Sequence, residues 1–321
     1  MSDLYRPEFI DAEAARTWLE TELWPNGPIC PHCGVENQAT ALRGKSTRPG
    51  VYQCNACREQ FTVTVGTLYE RSKVPLNKWL AATHLMMASK KGVSALQIGR
   101  MLGLSKKTAW FLCHRIRESL RENKPDLLGG SNQVVEADES YVGGKEKNKH
   151  KAKRQAGQQG GKGKEPVFSL VERDGRVRSF HLPDVTAKNL GSVLHAQIDK
   201  KSYLMTDEAP QYVKIADVFM GHATVNHSAD EYVRLGGFVH TNTVEGFFSI
   251  MKRSIYGTHH HISQQHLGRY LAERDFVYNN REKLGINDAE RMAKSVKGIV
   301  GKRLTYRRTR GAEEGAQSLA R

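Results

Sequence analysis

The sequence contains no long hydrophobic run, and this absence excludes a membrane-spanning chain. No stretch of its 321 residues approaches the roughly 18 consecutive apolar residues that a membrane-spanning helix needs. The first residues, MSDLYRPEFIDAEAA, also lack the basic-then-apolar pattern of a secretory signal. We therefore expect a cytoplasmic protein with no membrane partner.

Acidic residues and cysteines are also scarce. The chain has 34 Asp and Glu against 49 Lys and Arg, which gives a formal net charge of +15. Such an excess indicates a polyanionic partner, either nucleic acid or an anionic membrane surface. Because no basic amphipathic helix stands out, nucleic acid is the favoured partner. Only five residues are cysteines.

Four of the five cysteines form two close pairs, in the motifs CPHC and CNAC with 20 residues between them. The pairs are Cys30 with Cys33 and Cys54 with Cys57. This spacing is typical of a tetrahedral structural zinc site, and disulfides are disfavoured in the cytoplasm. The sequence therefore predicts one Zn²⁺ in a zinc ribbon of about residues 28–62, within an N-terminal region of residues 1–70.

Three helical patterns follow the ribbon, in residues 71–128. The second begins at Ser94 with a capping box and stops at Gly103, and a short turn leads to the third. This arrangement predicts a helix-turn-helix-like DNA-binding region, with an ordinary helical hairpin as the alternative. The residues of the third helix that we expect to contact DNA are Lys106, Lys107 and Arg115.

The stretch VVEADESYVGGK has the period of two that is typical of a strand, and Gly143 and Gly144 stop it. Three carboxylates within four residues suit a metal site better than a core, although a solvated edge strand is the alternative. An Asp-Gly hairpin, a helix, a strand ending at Asp207, a helix from Pro210 to about Phe219 and another strand follow. The predicted fold is α+β or α/β, a mixed sheet flanked by helices.

Two further segments carry basic residues. The segment 145–164 has no apolar face and predicts a mobile loop that contacts DNA through Lys151, Lys153 and Arg154. A helix beginning near Asn242 places Glu245 and Lys252 two turns apart, about 10 Å along the axis. Glu245 can therefore face a metal, or lie exposed in solvent, while Lys252 and Arg253 meet the DNA backbone.

Three acids can converge in such a sheet. Asp138 lies inside a strand, Asp207 ends another strand and Glu245 lies on a helix. Carboxylates that crowd together repel and raise each other's pKa unless divalent cations lie between them. Two Mg²⁺ or Mn²⁺ ions about 4 Å apart can activate the attacking oxygen and stabilise the leaving one at phosphorus.

Six motifs carry a resemblance to a known family: CPHCG, CNACREQFTVTVGT, PLNKWL, VEADESYVGGK, TDEAPQY and HTNTVEGFFSIMKRSIYGTHHHIS. With them the chain resembles, over residues 20–285, the bacterial insertion-sequence transposases of the DDE class that carry an N-terminal zinc ribbon. The resemblance implies a ribonuclease-H-like catalytic domain over residues 129–285. It places the acid triad at Asp138, Asp207 and Glu245, and the basic residue at Lys252. Some members carry Asn at the third position, so Asn242 is the alternative there.

The resemblance also implies a function and partners. It implies a DNA transposase that binds the element's terminal repeats and target DNA, cleaves and transfers strands, and works as at least a dimer near the nucleoid. The alternatives are a domesticated DNA-binding regulator without catalysis and a metal-dependent nuclease without strand transfer.

We interpret Glu136, Glu139 and Glu208 as solvated or supporting neighbours of the triad. Residues 286–321 predict a C-terminal helix and a basic tail.

Overall fold

The structure is a computed structural model that describes residues 5–123, 125–144, 150–153, 161, 163–213, 215–225, 234 and 238–305. The chain forms two compact units. The first contains residues 1–88, 95–120 and 288–321, and the second contains residues 89–94 and 121–287. Within the described ranges, no helix is long and apolar enough to cross a bilayer.

The first unit combines a small sheet with six helices of the described chain. The helices are α1 (Pro7–Ile10), α2 (Ala12–Leu23), α3 (Leu76–Ala88), α4 (Ala95–Leu102), α5 (Lys106–Ser119) and α9 (Asp288–Lys297). The strands β1 (Ala39–Ala41), β2 (Tyr52–Cys54) and β3 (Gln60–Phe61) pair antiparallel in the order β1-β2-β3. This is the predicted zinc ribbon, with α1 and α2 preceding it as helices that the sequence patterns did not indicate.

Helix α3 forms the centre of this unit and is buried over most of its length. Its apolar residues Trp79, Leu80 and Met86 are at most 2% exposed. The chain after α9 returns to the end of the ribbon, where Leu68 donates its N–H to the carbonyl of Ile299. Burying this apolar surface from distant segments supplies most of the unit's stability.

Helices α4 and α5 lie where the sequence predicts two helices joined by a short turn. Gly103 turns the chain with φ +62°, a region that L side chains rarely adopt. The Ser105 hydroxyl then accepts the backbone N–H of Thr108 at 3.2 Å and caps α5. Gly99 lets the two helices approach closely, because a Cβ there would meet the Leu104 carbonyl at 3.1 Å.

The second unit is built on a five-stranded mixed sheet in the order β6-β5-β4-β7-β8. The strands are β4 (Val134–Val142), β5 (Glu165–Glu172), β6 (Val177–His181), β7 (Tyr203–Asp207) and β8 (Gly221–Val225). Strands β4, β5 and β6 pair antiparallel, whereas β7 is parallel to both β4 and β8. The predicted mixed sheet is confirmed.

Helices cover both faces of this sheet: α6 (Ala187–Gln197), α7 (Asn242–Arg253) and α8 (Gln264–Asn279). The alternation of β4 directs Val135 and Ala137 into a core shared with α6. Val142 faces the opposite core, where it packs with α7 and α8. Asp138 lies on the same side of the strand as Val142, so its carboxylate belongs to the face that α7 covers.

One predicted helix is wrong. The sequence pattern predicts a helix from Pro210 to about Phe219. Among the described residues of this segment, which leave out residue 214, only a single 3₁₀ turn, Pro210–Tyr212, forms. Tyr212 is fully buried against the α6 core, and its backbone carbonyl accepts the N–H of Ala216. Packing of this one ring therefore outweighs the weak helical propensity of the segment.

Candidate active site and metal centres

The four predicted zinc ligands converge in the ribbon. Their sulfur atoms all lie within 4.8 Å of one another. The Sγ atoms of Cys30 and Cys57 are 3.6 Å apart, and those of Cys33 and Cys54 are 3.7 Å apart. A tetrahedron with zinc–sulfur bonds of about 2.3 Å has edges of about 3.8 Å. The four-cysteine cluster therefore fits a structural zinc ion.

Backbone turns and a small aromatic cluster hold these sulfurs. Gly34 takes φ +77° in the first turn and Arg58 takes φ +65° at the matching place in the second. The N–H of Cys57 is the main influence on Cys54 and lowers the pKa of its thiol to about 6, which favours the thiolate that zinc binds. Beside the cysteines, Phe61 is buried against Trp24, with ring centroids 5.8 Å apart.

Asp138 and Asp207 lie side by side because two neighbouring strands are parallel. In the register of β4 with β7, Glu136 is opposite Met205, and both aspartates are two residues further along. Strand geometry therefore directs their side chains to the same face. The Asp138 carboxylate accepts the N–H of Glu139 at 2.7 Å, and that of Asp207 accepts the N–H of Ala209 at 3.1 Å.

The third acid of this cluster is Glu139, which the sequence interpretation treated as a supporting or solvated neighbour. One carboxylate oxygen each of Asp138, Glu139 and Asp207 lies within 4.8 Å of the others. The Tyr212 hydroxyl donates a hydrogen bond to the Glu139 carboxylate. Because Tyr212 is 73 residues away in sequence, local patterning gave no signal for this contact.

Burial and repulsion make this cluster electrostatically unfavourable without a cation. Burial, together with the negative charges of Glu139, Asp207 and Glu245, raises the pKa of Asp138 to about 7. Burial likewise raises the pKa of Glu139 to about 7. Oxygen ligands grouped in this way are what Mg²⁺ and Mn²⁺ prefer, so the residues fit divalent metal.

Glu245 lies close to the cluster but outside its tightest group. It stands in the first turn of α7, is exposed, and lies close enough for its charge to raise the pKa of Asp138. The Thr241 hydroxyl lies 3.4 Å from its carboxylate. Asn242 is the first residue of α7 and is also exposed. The placement of Glu245 suits a ligand at the open side of the site.

Glu136 fixes the start of α7 and therefore the position of Glu245. Its fully buried carboxylate accepts the N–H groups of Thr243 at 2.8 Å and Val244 at 3.1 Å. Arg173 donates from Nε to the same carboxylate at 2.8 Å. Glu136 thus satisfies amide groups that a helix start leaves unpaired, and its negative charge suits the helix dipole. It is a buried anchor and not a solvated acid.

The predicted DNA contacts on α5 divide into two sets. Lys106 and Lys107 are exposed at the start of the helix. Arg115 is directed into the first unit, where it donates to the Glu70 carbonyl at 2.9 Å and its guanidinium lies 5.5 Å from the Trp79 ring centroid. Burial lowers the pKa of Arg115. This placement does not fit a phosphate contact, because the third turn of α5 faces the core.

The remaining predicted contacts lie in the second unit. Lys252 and Arg253 are exposed at the end of α7, and Arg253 donates to the Ser249 hydroxyl at 2.9 Å. Lys151 is exposed in a short 3₁₀ helix, Lys151–Lys153. The side chain of Lys153 and all of Arg154 lie outside the described residues, as does most of the predicted loop 145–164.

Sheet order, strand directions and acid placement together define a ribonuclease-H-like domain of the DDE type. The family model for the ISXO2-like transposase domain matches residues 127–279. The model for the transposase zinc-ribbon domain matches residues 10–60. Together the two models match more than half of the chain, which therefore belongs to the insertion-sequence transposases with an N-terminal zinc ribbon. A transposase domain implies DNA binding.

One curated protein and one chain of a solved structure illustrate what this chain is similar to. An uncharacterized protein in the transposable element ISH50 of Halobacterium salinarum is 28% identical over 275 residues, covering 82% of this chain and 89% of that protein. A chain in the structure of the simian T-cell lymphotropic virus intasome with the PP2A regulatory subunit B56 gamma is 14% identical, with a TM-score of 0.26. The match covers 54% of this chain and 61% of that one.

Proposed function

We propose that this protein is a metal-dependent DNA transposase that cleaves the ends of its own element and joins them to target DNA. The observation that carries the proposal is the side-by-side placement of Asp138 and Asp207 on neighbouring parallel strands. Membership of the transposase family supports it. A DNA-binding regulator would have no use for the carboxylates of Asp138 and Glu139, whose pKa values are raised by burial and by repulsion from neighbouring acids.

The residues divide the chemical work. Asp138 and Asp207 would bind the cations from fixed positions on the sheet. Glu139 would be a further ligand, oriented by the hydrogen bond from the Tyr212 hydroxyl. Glu245 on α7 would be the ligand on the solvent-exposed side of the metal site. Two divalent cations bound there would activate the attacking oxygen and stabilise the leaving oxygen. Because phosphoryl transfer depends mainly on position and charge, acids fixed on a sheet suit it well.

The reaction consists of two exchanges at phosphorus. In the first, the oxygen of water bonds to phosphorus at the element's end and the bond to the 3′-oxygen breaks, which leaves a 3′-hydroxyl on the element. In the second, that 3′-oxygen bonds to a target phosphorus, and the target strand's own 3′-oxygen leaves with a proton. The first step hydrolyses a phosphodiester bond and the second exchanges one phosphodiester bond for another, so neither step requires an energy-rich co-substrate.

DNA would be held by basic residues on both units. Lys106 and Lys107 lie at the exposed start of α5, where a recognition helix contacts the major groove. Lys151, Lys252 and Arg253 are exposed on the second unit. Joining two element ends in one event requires two active sites, so we expect at least a dimer on DNA.

Incubation with DNA spanning the boundaries of its own gene tests the proposal. The full-length protein, with zinc retained, is mixed with this DNA and Mg²⁺ or Mn²⁺, and the products are sized on a denaturing gel. Transposition predicts cuts at the two element ends and longer products in which an end is joined to a target plasmid. Cutting without joining would indicate the nuclease, and binding without cutting would indicate the regulator.

A further inference from the structure

A concave surface of the second unit adjoins the end of α7, and of its residues the proposed function uses only Lys252 and Arg253. Two hollows of about 680 and 580 Å³ adjoin here and share Lys252 and Tyr256. The larger one is lined by the end of β4 and by the residues that follow α7, including Tyr141, His260 and His261. We call this pair of hollows the tyrosine groove.

The groove is cationic. Lys164 and Lys252 line the larger hollow, and Lys91, Lys252 and Arg253 line the smaller one. Among the described residues that line them, none is acidic. Anionic groups of a ligand would therefore meet lysine and arginine side chains with no competing carboxylate on the walls.

Tyr256 is an aromatic surface fixed in place within this cationic groove. Its hydroxyl donates to the Gly143 carbonyl at 3.2 Å and accepts the Gly143 N–H at 3.4 Å. The side chain nevertheless stays 43% exposed, and Tyr141 is 37% exposed. A ring held at its polar end, with its face open, is preorganised to stack on a flat ligand.

The backbone around Tyr256 is arranged to keep the groove open. Residues Ser254–His259 form a π-helical turn, a form of helix that is rare and frequent at functional sites. A Cβ at Gly257 or at Gly144 would have no neighbour within 4 Å in the part of the chain that the structure describes. Neither glycine has a side chain to cover the surface, so a ligand can approach the backbone at both positions.

The tyrosine groove lies close enough to the acid cluster for one DNA strand to reach both. Tyr141 is three residues beyond Asp138 on β4, about 10 Å along the strand. Lys252 is two turns beyond Glu245 on α7, again about 10 Å along the axis. A DNA strand that passes the acid cluster can therefore continue into the tyrosine groove.

We propose that the tyrosine groove binds an unpaired DNA strand, with a base stacked on Tyr256 and phosphates beside Lys164 and Lys91. Basic walls combined with exposed aromatic rings are the usual means of binding single strands. The volume of each hollow lies within the range of pockets that hold small molecules, which suits a single nucleotide of a flexible strand. The inference rests on the proposed function and names the form of DNA that the same site holds.

Fluorescence anisotropy with two labelled probes tests this inference. The probes are a short single-stranded oligonucleotide and the duplex of the same sequence, without added Mg²⁺ or Mn²⁺ so that neither is cut. Tyr256→Leu should weaken single-strand binding by roughly 5- to 150-fold, the range expected for loss of one stacked base. Tyr256→Phe, which retains the ring, should bind the single strand more tightly than Tyr256→Leu. Duplex binding should stay unchanged in both variants.

Matched controls separate the groove from general charge. Lys164→Gln should flatten the slope of log affinity against log salt for the single strand by about 0.7. Lys188→Gln, which changes an exposed lysine of α6, should leave this slope unchanged. Tyr5→Leu, at an exposed tyrosine of the first unit, should leave the affinity unchanged.

Equal losses for both probes, or wild-type single-strand binding by folded Tyr256→Leu, would overturn the inference. Absence of DNA cutting would overturn the proposed function but leave this binding difference in place.

Discussion

At the scale of single residues, the free energy of the acid cluster depends on pH. Asp138 is mostly buried among like charges, and its pKa rises from 3.8 to about 7. The folded protein therefore retains a proton between these two pH values that the unfolded chain releases. The free energy of unfolding contributed by this group falls as pH rises from about 4 through about 7.

Asp138→Asn should remove this dependence. Without added Mg²⁺ or Mn²⁺, we expect the variant to be more stable than the wild type at pH 8, by up to about 4 kcal/mol, and equally stable near pH 4. Hydrogen exchange of the β4 amides reports this free energy without interference from the first unit. Glu139 and Asp275, whose pKa values burial raises to about 7, leave a residual slope in both proteins. A variant less stable than the wild type at pH 8 would contradict the electrostatic account.

Tyr212→Phe should weaken cation binding while leaving the core filled. The change removes only the hydroxyl that donates to Glu139, so the ring volume in the α6 core is retained. We expect Mn²⁺ affinity, measured by titration calorimetry, to fall roughly 10-fold or more, because partners that orient metal ligands commonly have effects of this size. Unchanged affinity and cleavage in the folded variant would remove Glu139 and Tyr212 from the site.

Some site residues could be read from the sequence and others could not. The zinc cysteines and Asp138 were predictable because their spacing and strand alternation are local. Glu139 was not, because it meets Tyr212 only after residues 73 positions apart pack together. Glu136 is a buried anchor because Arg173 and the start of α7 reach it, and neither contact has a sequence pattern.

At the scale of elements, the zinc ribbon should depend on its metal. Its core is small, so zinc supplies much of its folding free energy. Cys54→Ser should release the zinc and unfold about residues 28–62, while the five-stranded sheet stays folded. Elemental analysis gives the zinc content, and hydrogen exchange compares β2 with β4. Full zinc content in the variant, or loss of protection in β4, would contradict this prediction.

The register of α7 decides whether Glu245 or Asn242 is the metal ligand that this helix contributes. Both Glu245 and Asn242 are exposed on this helix, but only the charge of Glu245 acts on Asp138. Glu245→Gln should therefore abolish DNA cleavage, and Asn242→Ala should retain most of it. If Asn242→Ala is inactive and Glu245→Gln still cuts, the assignment of the triad fails.

Element prediction succeeded where the hydrophobic periodicity was clear and failed where it was weak. Helices α3 to α6 and the strands of the large sheet lie close to their predicted places. The segment after Pro210 makes one 3₁₀ turn because burial of Tyr212 decides its conformation. Helices α1, α2 and α8 were not predicted. The amphipathic pattern of α8 is weak because its buried residues include the charged Glu273 and Arg274, whose side chains form an ion pair at 2.8 Å.

At the scale of the whole molecule, the chain crosses between its two units more than once. Helix α9 returns to the first unit, where Arg291 donates to the Met87 carbonyl at 2.9 Å across 204 positions. No local pattern in residues 286–321 indicates that partner. Both units carry basic residues, consistent with the net charge of +15. The composition could indicate a polyanionic partner, but not which face would bind it.

The most direct measurement of the central claim is strand joining by the wild type and Asp207→Asn, with DNA from the boundaries of the gene and Mn²⁺. We expect joined products from the wild type and none from the variant, because the remaining acids cannot hold the cations in line with the phosphorus. The variant should bind the same DNA with unchanged affinity. Asp217→Asn, at an exposed acid of the same unit, should join strands normally. Joining by Asp207→Asn at the wild-type rate would contradict the account.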